Sequence, residues 1–203
     1  MTRRDFGGLA FQAAVAAPPA PLVIPVHQVI DSRMKPQPGQ IGYFWSRIWP
    51  EAVRDFASCG IHLKNDVVEG EVRRSAGDRP VFVGLDRRAL NLILTAQLPM
   101  RWDRGRALCG VTTRYDGYHI CMIALAYAHA HQIPLLSVNT CVHELLHALL
   151  QDIFEKHGAV WSDASRELRI DWYATRLWLF RDGGDLRMAA HAYLNRLHAE
   201  FSP

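Results

Sequence analysis

The chain has 203 residues, of which 49% are hydrophobic. This length is enough for one domain with a sizeable core and short for two, so we expect a single domain. The formal net charge is +3 and the basic residues form no run, which argues against nucleic acid as a partner. No apolar stretch reaches the roughly 18 uncharged residues of a membrane-spanning helix, so we expect no integral membrane segment in the mature chain.

The beginning of the chain has the pattern of an export signal. Arg3-Arg4 precede Phe6, a weakly apolar stretch, small residues and a proline cluster. This resembles a bacterial twin-arginine signal, which ends in a small-residue cleavage site. The resemblance implies that residues 1–20 are an export signal and that residues 21–203 form one domain in the periplasm or outside the cell. The alternative is a disordered Ala/Pro tail in which the two arginines are incidental.

Residues 40–59 are predicted to form an amphipathic helix. Apolar residues recur there at three- and four-residue spacing, and Gly60 follows as a stop signal. Pro50 inside this helix predicts a kink or a break into two pieces. A Pro-rich segment with a candidate short strand at residues 26–30 precedes the helix.

The next part of the chain is predicted to form strands. Residues 61–74 indicate one strand, or two strands interrupted at Asn65-Asp66. Residues 80–85 indicate a short buried strand. The apolar run ALNLILT, within residues 86–97, is compatible with either a helix or a strand.

A β-hairpin is predicted where residues 107–113 and 118–126 flank Tyr115-Asp116-Gly117. Cys109 and Cys121 face each other in one register of this hairpin, whereas a slip of one residue separates them. Buried free thiols are the alternative to a disulfide. No CxxC spacing, and hence no structural zinc ribbon, is found among the four cysteines, which are Cys59, Cys109, Cys121 and Cys141.

The last third of the chain is predicted to be helical. A helix capped by Asn139 or Thr140 runs to about His157. A second helix follows a cap at residue 162 or 163 and runs to about residue 181, and a third covers residues 185–201. The predicted fold class is therefore α+β, with a small mixed β-sheet and an N-terminal helix, followed by a helix pair and a C-terminal helix.

The first helix of the pair carries the sequence HELLH. His143 and His147 lie four residues apart, so their rings project from one face roughly 6 Å apart, close enough to share a metal ion. Glu144 lies beside the first histidine, from where its carboxylate can reach a water on that metal without being a ligand. The pattern therefore supplies two nitrogen ligands and a general base for hydrolysis.

A hydrolytic zinc site needs a third protein ligand. On the same helix, Asp152 is turned roughly 140° away from the histidine face, and Glu155 and His157 lie too far along the helix axis. The remaining candidate is Glu167 on the second helix, with Asp171 four residues later on the same face.

The two motifs, HELLH and the stretch Glu167-Leu-Arg-Ile-Asp171, resemble the HExxH…ExxxD arrangement of the gluzincins, the thermolysin-like zinc metallopeptidases. The resemblance implies that His143, His147 and Glu167 bind one Zn²⁺ ion and that Glu144 is the general base. It also implies that Asp171 orients a ligand histidine by accepting a hydrogen bond from it.

Three further predictions concern the family, the oxyanion donor and the substrate-binding edge. Leu150 and Ile153 stand where the metzincin pattern HExxHxxGxxH has a glycine and a third histidine, so that family is not predicted. Tyr173 and His157 are candidate donors to a developing oxyanion, as a Tyr or His is in thermolysin-like enzymes. Residues 118–126, the last strand before the motif helix, are a candidate edge for pairing with an extended peptide.

These inferences predict an exported zinc-dependent peptidase with a zincin-like fold. Glu144 is expected to take a proton from a zinc-bound water as this water attacks the peptide bond. The expected cofactor is one Zn²⁺ ion, and the expected partner is a peptide or protein substrate. Two alternatives remain, namely a catalytically silent zinc-stabilised binding domain of the cell envelope and a metal-free structural protein whose histidines are incidental.

Overall fold

The structure, a computed structural model, describes residues 20–74, 80–98, 110–126, 139–156 and 185–199, together with Ile170 and Ala174. None of the described helices is long and apolar enough to cross a membrane. The strands are β1 (Leu22–Asp31), β2 (Ile61–Arg74), β3 (Pro80–Val83), β4 (Leu90–Thr95), β5 (Gly110–Tyr115) and β6 (Tyr118–Ala124). The helices are α1 (Pro38–Tyr43), α2 (Trp49–Ser58), α3 (Thr140–Lys156) and α4 (Asp185–Ala199), with a π-helical turn, Phe44–Ile48, between α1 and α2.

The described strands form one mixed sheet in the order β3-β2-β1-β4-β6-β5. The strands β2, β1, β4 and β6 run parallel, whereas β3 is antiparallel to β2 and β5 is antiparallel to β6. The predicted α+β class with a mixed sheet is confirmed. The prediction that residues 118–126 form the sheet edge is wrong, because β6 pairs with a strand on each side and β5 lies at the edge of the described sheet.

The run ALNLILT forms β4, in which every residue from Leu90 to Thr95 is buried. A strand in the middle of a sheet that is covered on both faces has no polar side, so its sequence does not alternate. This is why its pattern fitted a helix equally well. β2 is one continuous strand, without the interruption considered at Asn65-Asp66.

Helices cover one face of the sheet, and the sheet itself curls over the other. On the helix side, α2, α3 and α4 pack against strand residues such as Leu92. A second apolar cluster, which includes Val29 and Ile93, lies on the opposite face. Phe82 of β3 contacts Tyr115 of β5 with ring centroids 5.6 Å apart. Because these strands are at opposite ends of the sheet order, the sheet must curl strongly toward this face.

The N-terminal helix is interrupted where the proline predicted a kink or a break. Pro50 lies in the first turn of α2, directly after the π-helical turn. Proline has no backbone N–H to donate, so the regular α-helical pattern cannot run through it. Instead, the N–H of Trp49 donates to the carbonyl of Phe44, five residues earlier. Gly60, with a φ of 74°, follows the end of α2 as expected.

A buried arginine ties α4 to the start of the sheet. Arg187 donates from its guanidinium to the carbonyl oxygens of Gly60, 3.1 Å away, and Ala20, 2.9 Å away. These bonds fix the C-terminal helix against β1 and β2. The fully or almost fully buried residues of α4 include Leu186, Ala190, Tyr193 and Leu197.

The predicted hairpin is formed by β5 and β6. Its turn residues, Asp116-Gly117, have φ values of 48° and 79°, which is typical of a type I′ turn. The register places Cys121 opposite Thr112. The register in which Cys121 and Cys109 face each other is therefore not the one that forms, and Cys109 itself lies outside the described residues.

Candidate functional site

The helix that carries the motif, α3, begins at a defined cap. The side-chain oxygen Oδ1 of Asn139 accepts hydrogen bonds from the backbone N–H groups of Cys141 at 3.0 Å and Val142 at 3.2 Å. Its amide Nδ2 donates to the carbonyl of Ile48, 2.7 Å away, at the end of the π-helical turn. Of the two predicted caps, Asn139 and Thr140, the side chain of Asn139 is the one that caps. This residue also ties the start of α3 to the N-terminal helix.

The two motif histidines are the accessible residues of an otherwise buried stretch of α3. Between residues 141 and 150, His143 and His147 are partly exposed and every other residue is buried. The surrounding elements are β5, β6, α2 and α4. These two histidines are therefore the part of this stretch that is open to solvent. The buried residues of the stretch are Cys141, Val142, Glu144, Leu145, Leu146, Ala148, Leu149 and Leu150.

The two imidazoles converge. Nε2 of His143 lies 3.0 Å from Nε2 of His147, and the ring centroids are 4.7 Å apart with an interplanar angle of 67°. A tetrahedral zinc ion with Zn–N bonds of about 2.0–2.1 Å holds two nitrogens about 3.3 Å apart. The observed separation is close to that value, so the pair fits two positions of a zinc site. It is also the length of an N–H···N hydrogen bond between two neutral rings.

Glu144 is buried between α3 and the sheet, with 5% of its surface exposed. Its carboxylate oxygen Oε2 lies 2.6 Å from the hydroxyl Oγ1 of Thr112 on β5, and its backbone oxygen lies 2.9 Å from the same hydroxyl. The thiol of Cys121 on β6 donates to that backbone oxygen at 3.3 Å. A hydroxyl has one proton, so Thr112 donates to one acceptor at a time, and Sγ of Cys121, 3.4 Å away, is a third acceptor within reach. The general base that the sequence predicts is thus held against the strand at the sheet edge.

Gly110, the first residue of β5, allows the carboxylate of Glu144 to approach the strand closely. A Cβ atom at this position would lie 2.6 Å from both Cγ and Oε1 of Glu144. These distances are far shorter than a van der Waals contact between such atoms. Since Glu144 is buried, its side chain has little room to move away. An alanine at this position would therefore force the Glu144 side chain to shift.

Replacing this glycine tests the packing. Gly110→Ala is expected to lower the free energy of unfolding by about 1–3 kcal/mol, because the added methyl overlaps a buried carboxylate. The measurement is the urea midpoint. Gly42→Ala in α1 is the matched control, since nothing lies within 4 Å of its added Cβ and alanine favours a helix. An unchanged midpoint for Gly110→Ala would show that Glu144 is not packed against β5.

The described cysteines are free thiols: Cys59, Cys121 and Cys141. All three are buried, and burial raises the pKa of Cys59 to about 11. Burial likewise raises the pKa of Cys121 and the pKa of Cys141 well above the usual thiol range. These thiols therefore stay protonated and serve as small apolar residues. Of the two alternatives left open by the sequence, the buried free thiol holds for these three residues.

The remaining predicted site residues lie outside the described part of the chain. They are the third ligand Glu167, the orienting Asp171, and the candidate oxyanion donors Tyr173 and His157. Within the ranges that the structure describes, no group of three or more His, Cys, Asp or Glu side chains could hold a metal ion. The described residues thus bring together two of the three predicted ligands, His143 and His147, while the carboxylate of the predicted base on the same helix lies against β5, and the rest of the set stays a prediction.

Two residues of the site were missed by the sequence reasoning, namely Thr112 and Gly110. Both lie on β5 and contact the carboxylate of Glu144. Thr112 precedes Glu144 by 32 residues, so no local spacing connects them. The only available signal was the predicted hairpin, whose register decides which side chains face the helix.

Compared with protein-family models, with curated proteins and with solved structures, the chain matches none of them.

Proposed function

We propose that this protein is an exported zinc-dependent peptidase with a zincin-like fold, in which His143, His147 and Glu167 bind one Zn²⁺ ion. The observation that carries the proposal is the convergence of the two histidine Nε2 atoms, 3.0 Å apart, on the accessible side of an otherwise enclosed helix. Neutral imidazole nitrogens are preferred zinc ligands. The resemblance of the Glu167-to-Asp171 stretch to the second gluzincin motif supports Glu167 as the third ligand.

The proposed reaction is hydrolysis of a peptide bond. When bound, Zn²⁺ supplies a Lewis acid that polarises the carbonyl and lowers the pKa of a water molecule. Glu144 accepts the proton of the attacking water and returns it to the departing amine. Asp171 accepts a hydrogen bond from the ring N–H of a ligand histidine, on the nitrogen that does not bind zinc, and so sets the tautomer of that histidine. Tyr173 or His157 donates a hydrogen bond to the developing oxyanion.

The edge strand β5 supports a peptide or protein as the substrate. In the sheet that the structure describes, β5 pairs with β6 on one side and with no strand on the other. Extended peptides bind such edges through backbone hydrogen bonds. Because Thr112 and Gly110 of β5 lie against Glu144, a peptide on this edge runs beside the proposed base. The proposed edge for pairing with a peptide is thus β5, and not residues 118–126 as the sequence suggested.

The proposed location is the periplasm or the outside of the cell. It is based on Arg3-Arg4, Phe6 and the small-residue segment after them, which resemble a twin-arginine export signal. The small net charge agrees with a partner other than nucleic acid.

Metal analysis tests the proposal directly. Protein purified without chelators is expected to hold one zinc ion per chain and to cleave an unstructured protein such as casein. EDTA is expected to abolish cleavage, and added zinc to restore it. His143→Ala and His147→Ala are expected to lose most of the zinc, whereas His191→Ala, an exposed histidine on α4, keeps it. Equal zinc content in all four proteins, or none in the wild type, rejects the proposed site.

One observation favours a second candidate, a catalytically silent zinc-stabilised binding domain. Glu144 is buried and hydrogen-bonded to Thr112, an arrangement that would equally serve a structural anchor between α3 and β5. This candidate predicts zinc binding without hydrolysis of any peptide. A metal-free structural protein, the third possibility drawn from the sequence, predicts no bound zinc and no change of melting temperature with EDTA.

A further inference from the structure

The geometry of the hairpin determines which backbone groups of β5 face its outer edge. In a two-residue type I′ hairpin the residues that flank the turn, here Tyr115 and Tyr118, form a hydrogen-bonded pair. Hydrogen-bonded and non-hydrogen-bonded pairs then alternate along the two strands. By this count the pair Thr112 and Cys121 is a non-hydrogen-bonded one. The N–H and C=O of Thr112 therefore point away from β6, toward the outer edge of β5.

The side chain of the same residue faces the motif helix. The hydroxyl Oγ1 of Thr112 is 2.6 Å from Oε2 of Glu144. A contact of this length is a short hydrogen bond, within the range that a hydroxyl makes with a carboxylate. Thr112 thus presents its backbone to the outer edge of the sheet and its side chain to the proposed general base.

We infer that Thr112 is a positioning residue for Glu144 and that it links the edge on which a peptide would lie to the base that would act on that peptide. The inference rests on the proposed function. The hydrogen bond from Thr112 holds Oε2 and so restricts rotation of the carboxylate that would accept the proton of the attacking water. Gly110, the neighbour of Thr112 on the same face of β5, provides the space that Oε1 needs.

The β-branched shape of threonine explains why this residue suits position 112. A β-branched residue favours a strand and has a restricted χ1, so its hydroxyl is held toward the helix at low entropic cost. The adjacent Thr113 has the same chemistry but faces the other side of the sheet, because successive side chains of a strand alternate. It provides a control on the same strand.

The test compares three substitutions by steady-state peptide hydrolysis. Thr112→Val keeps the shape and removes the hydroxyl, and it is expected to lower kcat about 10- to 100-fold with KM and zinc content unchanged. Thr112→Ser keeps the hydroxyl and is expected to restore most of the loss. Thr113→Val is expected to match the wild type in kcat and KM. If Thr112→Val cannot be obtained folded, Thr112→Ala removes the same hydroxyl with the same expectation.

A second readout does not use activity. In protein stripped of metal with EDTA, Thr112→Val is expected to lower the melting temperature, and to lower it less in a Glu144→Ala background, because the carboxylate that accepts the hydrogen bond is already absent there. Equal lowering in the two backgrounds would show that Thr112 does not act on the carboxylate of Glu144.

The outcomes separate this inference from the proposed function. A wild type without zinc or without peptidase activity overturns the proposed function. If Glu144→Gln abolishes hydrolysis while Thr112→Val keeps the wild-type kcat, only the positioning role is overturned. The same holds if Thr112→Val loses zinc, raises KM alone, or is not rescued by serine, since a merely structural residue would behave in those ways.

Discussion

The Glu144→Gln variant is expected to keep its zinc and to lose peptide hydrolysis by about 10²- to 10⁴-fold, the range typical of a lost general base. Glutamine has the same shape, and its amide oxygen can still accept the hydrogen bond from Thr112, so the contact between α3 and β5 is retained. It cannot accept a proton from water. The loss should therefore appear in kcat, with zinc content and melting temperature close to those of the wild type.

The matched control for this substitution is Glu69→Gln. Glu69 makes an ion pair with Lys35 at 3.3 Å, and its side chain is 70% exposed, so loss of its charge should alter neither hydrolysis nor zinc content. If Glu144→Gln hydrolyses peptides at the wild-type rate, Glu144 is not the base. The buried carboxylate would then be a structural anchor, and the silent binding domain would be the better description.

Glu167→Ala is expected to lose zinc, because two imidazoles alone do not complete the three protein ligands of a hydrolytic zinc site. The consequence for stability follows from linkage. Zinc at 100 times its dissociation constant stabilises the folded state by about 2.7 kcal/mol. For a chain of this size that corresponds to a rise in melting temperature of about 5–11 °C. The wild type should show this rise on zinc addition, and Glu167→Ala should not.

Glu155→Ala is the matched control for the third ligand. Glu155 lies eight residues beyond His147 on α3, about 12 Å farther along the helix axis, too far to share the ion. Its substitution should leave both zinc content and the zinc-dependent rise in melting temperature unchanged. Zinc retention by Glu167→Ala would place the third ligand elsewhere and remove the basis of the gluzincin resemblance.

Local patterns predicted much of the described fold. The positive-φ turn at Asp116-Gly117, the interruption at Pro50 and the cap at Asn139 depend on backbone preferences of single residues, which act over a few neighbours. Such preferences can be recognised in any sequence. The assignment of β4 could not be made in this way, because a strand buried on both faces has no periodicity that distinguishes it from a helix.

Pairing between strands could not be predicted to the same degree. The edge role was assigned to residues 118–126, and the structure gives it to β5. The difference has a physical reason. The sequence gives the order of the strands along the chain, whereas their order in the sheet depends on how the long connections between strands pack. The pairing of Cys121 with Thr112 could not be predicted either, because a shift of one residue in the hairpin register changes which residues face each other.

By itself, the sequence determined the chemistry that is available on α3. Two imidazoles four residues apart share a helix face whatever the rest of the chain does, because the helix repeats every 3.6 residues or so, and the structure has them converge at 3.0 Å. Only the tertiary structure decided what surrounds them. It brings Thr112 and Gly110 of the edge strand to the carboxylate of Glu144 and buries that carboxylate. Such contacts depend on sheet order and register, which join residues that no local spacing connects.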